Sequence, residues 1–109
     1  MNKNTFTGNN SDFLKALKKS ISKADKIDIL VSFLMKTGVE LIIDDLKKSK
    51  ANIRILTGTY LSITQPEALY LLKSELKNLD LRFYNTSNKS FHPKAYIFHN
   101  NEENEIYIG

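Results

Sequence analysis

Apolar residues recur at helical spacing in three segments of the chain. The first segment begins at Ser11, the second near Thr37 and the third near Thr64. Their apolar positions are Phe13, Leu14, Leu17, Ile21 and Ala24, then Val39, Ile42, Ile43 and Leu46, then Leu69, Leu72, Leu76 and Leu79. Spacings of three and four residues place each set on one face of an amphipathic helix. Thr37 and Thr64 each precede a glutamate by three residues, and this capping-box spacing predicts a helix start at both places.

Five short apolar runs alternate with or follow these helices. They are KIDILVSFL (26–34), NIRILTG (52–58), LRFYN (81–85), FHPKAYIF (91–98) and EIYIG (105–109). β-branched and aromatic residues dominate them, which is typical of strands, and the first run reads as a strand buried on both faces. The predicted order is α-β-α-β-α-β-β-β, an α/β fold with a mostly parallel sheet flanked by helices on both faces. The last two strands are joined by a short polar loop, so we expect them to pair antiparallel.

The length of 109 residues suits one domain. Residues 1–10 are predicted to be a polar tail and residues 11–109 a single domain. The chain stops at Gly109, directly after an apolar strand, which predicts that it is a fragment of a longer protein.

Composition narrows the class of protein. No apolar run approaches the roughly 20 residues that a membrane-spanning helix needs, and the polar N-terminus is unlike a signal peptide. The absence of cysteine excludes disulfides and thiolate metal sites, so we expect a cytoplasmic protein. The net charge of +4 comes from residues 1–50, with ten lysines against six acidic residues. This surplus fits either a phosphate-rich partner or a solvated helix face.

The segment His92-Pro93-Lys94 is the strongest candidate for chemistry. In a strand, His92, Lys94 and Tyr96 share one face, and the first two lie roughly 6 to 7 Å apart. An imidazole can attack phosphorus and an ammonium can neutralise phosphate oxygens, so a phosphate group fits between them. The alternative is an edge strand with two polar side chains in water. Ser32 and Thr57 end two predicted strands, where substrate sites gather in open α/β sheets, although a cap and a turn would explain them equally.

Three segments together resemble the phospholipase D-like superfamily: DKIDILVSFLMKTGVELIIDDL (25–46), IRILTGTYLSITQPEAL (53–69) and SFHPKAYIF (90–98). With the final EIYIG run, they look like the N-terminal phospholipase D-like domain of bacterial DEAD/DEAH-type helicase and restriction-like proteins. The resemblance implies a metal-independent phosphodiesterase or nuclease without a cofactor. His92 would be its nucleophile or acid/base and Lys94 its phosphate clamp. By their positions in the predicted strands, Ser32, Thr57 and Tyr96 are candidate substrate-binding residues. Tyr96 could stack on a base, and the alternative for it is a place in the core or in an interface.

The resemblance also implies partners. A chain with one H-x-K motif needs a second one, either from another copy in a homodimer or from a C-terminal part of the parent chain. Of the two we favour a homodimer that acts on nucleic acid, most naturally DNA, with a helicase-like domain following in the parent chain. Two departures from the family pattern leave an alternative open. The family aspartate falls on His99, and the serine and asparagine that follow the family glycine are not in the chain. The alternative is a catalytically inactive DNA-binding or dimerisation module.

Overall fold

A computed structural model describes residues 10–32, 34–58, 66–84, 94–101 and 104–108. They form a mixed α/β fold of three helices and a five-stranded sheet. The elements are α1 (Asn10–Lys23), β1 (Lys26–Val31), α2 (Lys36–Lys48), β2 (Asn52–Gly58), α3 (Pro66–Glu75), β3 (Leu79–Tyr84), β4 (Lys94–His99) and β5 (Asn104–Ile108). No helix within these ranges is long and apolar enough to cross a membrane.

The sheet is parallel at one end and antiparallel at the other. Its strand order is β3-β2-β1-β4-β5. β1 pairs with β2 in parallel, and β2 pairs with β3 in parallel. β4 runs antiparallel to both β1 and β5. The prediction of a mostly parallel sheet therefore describes only half of it. β4 begins beside the C-terminal end of β1 and runs back along it, so the two strands are antiparallel.

The three helices cover one face of the sheet, which corrects the prediction of helices on both faces. Each parallel crossover, β1-α2-β2 and β2-α3-β3, moves in the same direction across the sheet. Right-handed crossovers that move in one direction place their helices on the same face. α1 packs beside α2, and α2 packs beside α3. Along the described part of the chain, the opposite face of the sheet carries no helix.

The core lies between this helix layer and one face of the sheet. In β1, Ile27, Ile29 and Val31 are buried, whereas Asp28 and Leu30 on the other face are half-buried. The prediction that this strand is buried on both faces is therefore wrong, and it alternates instead. Ile53 and Ile55 of β2 lie directly beside Ile27 and Ile29. The helices complete the core with Leu17, Ile21, Val39, Ile43, Leu46, Ala68 and Leu72.

Several predicted boundaries move, those of α2 and β3 among them. α2 begins at Lys36 rather than after Thr37, because the Val39 amide already donates to the Met35 carbonyl over 3.1 Å. Leu79 belongs to β3 rather than to the third helix, since it pairs with Ile53 at the start of the parallel ladder. Pro66 opens α3, where its missing N–H costs little. Thr64 and its predicted cap lie outside the described residues.

Candidate functional site

Three predicted site residues, Ser32, Thr57 and Lys94, lie at the end of the sheet that contains the C-termini of the parallel strands. Val31, the last residue of β1, pairs with Thr57 on one side and with Lys94 on the other. Thr57 and Lys94 therefore stand in one row on the helix-covered face, with Cα atoms about 10 Å apart at ordinary strand spacing. Ser32 follows Val31, and its carbonyl accepts a hydrogen bond of 3.0 Å from the Gly58 amide. This bond ties the ends of β1 and β2 together.

The three residues differ in access to solvent. Lys94 is exposed, whereas Ser32 is 3% exposed and Thr57 is fully buried. The Thr57 hydroxyl has no hydrogen-bond partner among the described residues. A ligand arriving from solvent therefore contacts Lys94 first, whereas Ser32 and Thr57 lie below the protein surface.

His92 lies outside the described residues, so its distance from Lys94 stays a prediction. Lys94 is the first residue of β4, and its ammonium is the part of the H-x-K motif that the structure describes. Its face of the strand continues with Tyr96 and Phe98, which pair with Ile29 and Ile27 of β1. This is the core face. The strand therefore does not present a uniformly polar face to water, and only its Lys94 end reaches solvent.

Tyr96 is packed as part of an aromatic cluster. Its ring meets that of Phe13 edge-on, with centroids 6.1 Å apart. Phe13 also contacts Tyr107 edge-on at 6.0 Å. Burial raises the pKa of the Tyr96 hydroxyl, so the group stays neutral and able to donate a hydrogen bond. A ring held in this way belongs to the core more than to a free stacking platform for a base.

An apolar groove opens beside Lys94 on the same face. Its volume is about 570 Å³, and it lies between α1, α2 and the sheet. Of the sixteen described residues that line it, thirteen are apolar, and the others are Gly38, Tyr96 and Lys94. Leu41, 55% exposed, and Met35, 39% exposed, also line it. Lys94 is its only charged lining residue among those described.

A charged cluster that the sequence analysis missed lies on the opposite face. Asp28 accepts a hydrogen bond of 2.6 Å from Arg54 Nε, and its other oxygen lies 2.9 Å from His99 Nε2. The Arg54 hydrogen bond is the largest of the causes that lower the pKa of Asp28, ahead of the opposing effect of burial. The sequence contained a signal for this cluster, namely a charged residue within each of two strand-like runs, Asp28 in KIDILVSFL and Arg54 in NIRILTG. A charged side chain between apolar neighbours in a strand indicates that this side of the strand faces solvent.

His99, the position of the family aspartate, belongs to this cluster and not to the Lys94 site. It ends β4 whereas Lys94 begins it, so the two lie roughly 16 Å apart along the strand. They also point to opposite faces, because they are five positions apart and side chains alternate between the faces of a strand. Within the described ranges, no three histidine, aspartate or glutamate side chains lie close enough together to hold a metal ion.

Comparisons with known proteins bear on the fold. No protein-family model matches the sequence, and no curated protein matches it. Among solved structures, the crystal structure of polyphosphate kinase from Porphyromonas gingivalis matches with a TM-score of 0.56 and 13% identity. The match covers 90% of this chain and only 16% of that one. That kinase is a distant structural neighbour from the phospholipase D-like superfamily. The likeness is one of fold, and this match concerns neither a helicase nor a restriction protein.

Proposed function

We propose that this chain is a metal-independent phosphodiesterase domain, acting on nucleic acid, in which His92 is the nucleophile and Lys94 the phosphate clamp. The observation that carries the proposal is the position of Lys94. It opens β4 at the edge where the parallel strands end, next to Ser32 and in one row with Thr57. This edge is where open α/β sheets bind ligands. The phospholipase D-like fold of the structural neighbour is consistent with phosphoryl transfer at this edge.

The proposed reaction has two steps. An imidazole nitrogen of His92 forms a bond to phosphorus while the bond from phosphorus to the leaving oxygen breaks. A second histidine gives that oxygen a proton, and Lys94 balances the charge on the non-bridging oxygens. Water then attacks the phosphohistidine, gives a proton to the second histidine and releases His92. The chain has one H-x-K motif, so the second histidine is His92 of another copy in a homodimer.

The wider context that we propose is a helicase-like or restriction-type protein in the cytoplasm. This part rests on the sequence resemblance alone. The substrate that we propose is DNA, since the basic balance of the first 50 residues fits a polyanion.

A nuclease assay in excess EDTA tests the proposal. Wild-type chain is compared with His92→Ala and Lys94→Ala, and Lys73→Ala on α3 is the matched lysine control. We expect cleavage in EDTA by wild type and by the control, and its loss in the two motif variants. Cleavage that His92→Ala leaves unchanged would contradict the proposed nucleophile.

The second candidate is a DNA-binding module that does not cleave. Lys15, Lys19 and Lys23 favour it, because they follow each other at four-residue spacing along α1 and are all exposed. None of the three forms an ion pair with a described residue, whereas Lys18 on the same helix pairs with Asp45 at 3.4 Å. Salt-dependent DNA binding without cleavage, retained in His92→Ala, is the outcome that selects this candidate. A stable dimer that neither binds nor cleaves DNA would instead indicate a dimerisation module.

A further inference from the structure

We propose that the groove between α1 and α2 binds a single-chain alkyl carboxylate, with the alkyl chain in the groove and the carboxylate at Lys94. This inference concerns a binding site beyond the proposed phosphodiesterase function and does not depend on it. It starts from the distribution of polarity in the groove, which is apolar along its length and charged at one place.

The size of the groove is that of a ligand site. A volume of about 570 Å³ falls within the range of small-molecule pockets, roughly 300–1,000 Å³. The walls come from Leu14 and Leu17 of α1 and from Val39 and Ile42 of α2. Exposed apolar side chains at Met35 and Leu41 would gain from contact with an apolar ligand.

The shortage of polar partners decides between classes of occupant. A nucleobase or a peptide carries several hydrogen-bonding groups along its length, and each would lose water without finding a partner on these walls. Among the described residues, the groove provides side-chain partners only at Lys94 and Tyr96, which are neighbours on one face of β4. A molecule with one polar end and an otherwise apolar body satisfies this pattern.

The charge of the polar end follows from Lys94. No described acidic side chain lines the groove, so the Lys94 ammonium has no counter-charge there. A carboxylate supplies it, and the neutral Tyr96 hydroxyl can donate to the second carboxylate oxygen. A cationic amphiphile of equal length would place like charges together.

Isothermal titration of the chain with carboxylates of two, eight, ten and twelve carbons, each below its micelle concentration, tests the proposal. We expect saturable binding to one site and an affinity that rises about four-fold with each added methylene. Decanoate should bind more tightly than decylammonium. Acetate binding as tightly as decanoate would overturn the proposal, because the groove would then contribute nothing.

Variants test the two ends of the site separately. Lys94→Met should lower decanoate affinity about tenfold, the low end expected for a charge-assisted hydrogen bond at an exposed group. Lys94→Gln repeats the test with a polar residue, and Lys73→Met is the control that should bind like wild type. Gly38 lines the groove, and a Cβ added there would meet nothing within 4 Å. Gly38→Leu should therefore weaken dodecanoate binding while circular dichroism stays unchanged.

Three further results would overturn the proposal. The first is the absence of saturable binding by any of the long-chain carboxylates. The second is equal affinity for decanoate and decylammonium in wild type. The third is decanoate affinity that neither Lys94 variant changes. Circular dichroism of each variant separates a lost site from a lost fold.

Discussion

The buried hydroxyl of Thr57 leads to a prediction of increased stability on mutation. Thr57 is fully buried, and its Oγ1 has no hydrogen-bond partner among the described residues. A buried hydroxyl without a partner costs about 1–3 kcal/mol of desolvation. Thr57→Val keeps the β-branched shape and strand preference of the side chain but removes this polar atom. We therefore expect the free energy of unfolding to rise by about 1 kcal/mol, the low end of that range.

Urea denaturation, followed by circular dichroism, measures the change. Slopes of about 1–3 kcal/mol per molar urea convert 1 kcal/mol into a midpoint roughly 0.3–1 M higher. Ser20→Ala is the matched control, because the Ser20 hydroxyl is equally buried but lies 2.8 Å from the Tyr107 hydroxyl and donates to Glu105 over 3.3 Å. Removing a hydroxyl that has partners should lower the unfolding free energy by about 1 kcal/mol.

Thr57→Val also separates a structural role from a functional one. A fall in unfolding free energy of more than about 0.5 kcal/mol would refute the reasoning, since it would mean that the hydroxyl is hydrogen-bonded in solution. If the variant is more stable and retains the cleavage or DNA binding of wild type, Thr57 is not a substrate-binding residue. If it is more stable but loses activity, the unpartnered hydroxyl is retained for substrate, as the proposed function implies.

Three further predictions concern other parts of the fold. Because the pKa of Asp28 is lowered in the folded protein, its carboxylate stabilises the fold at pH values above the ordinary aspartate pKa of about 3.9. This contribution is lost as the pH falls through the lower pKa of the folded state. Below about pH 4, the urea midpoint of Asp28→Asn should therefore fall less steeply with pH than that of wild type. Phe98→Ala should lower the free energy of unfolding, measured by urea denaturation, by about 3–5 kcal/mol. Phe98 is 2% exposed, and its ring packs edge-on against that of Tyr107 with centroids 5.8 Å apart. If α1 contacts duplex DNA phosphates, replacing Lys15, Lys19 and Lys23 with Gln should reduce the slope of log affinity against log salt by about 2.7, whereas an unchanged slope would exclude α1 from the interface.

The local pattern predicted β2 well. Ile53, Ile55 and Thr57 alternate with exposed residues, and Gly58 ends the run, so the observed strand has the predicted bounds. Local pattern could not predict which strands become neighbours. β4 pairs with β1 through residues such as Ala95 and Leu30, which are far apart in the sequence. Without that pairing, the antiparallel contact between β4 and β1 could not be derived, and the single helix layer depends in the same way on the strand order β3-β2-β1.

The candidate site was predictable in position and unpredictable in depth. The rule that ligands gather where parallel strands end selected Ser32 and Thr57, and the structure places both at the same end of the sheet as Lys94, while their role in binding stays a prediction. It did not predict that both hydroxyl residues are buried, because burial depends on packing between segments far apart in the sequence. Strand alternation placed Lys94 and Tyr96 on one face, but which face the helices cover depends on strand order and crossover hand.

The two faces of the sheet separate the described strand ion pairs from the proposed chemistry. Parallel strands are usually covered on both sides, yet the described residues leave one side of β1, β2 and β3 without a helix. That side carries Asp28 paired with Arg54, and Asp80 paired with Arg82 at 3.1 Å. Such pairs keep a strand surface compatible with water at little net gain in stability. Because Asp28 points away from the face that carries Lys94, Asp28→Asn should alter the acid sensitivity of the fold while leaving phosphodiester cleavage and carboxylate binding at neutral pH unchanged.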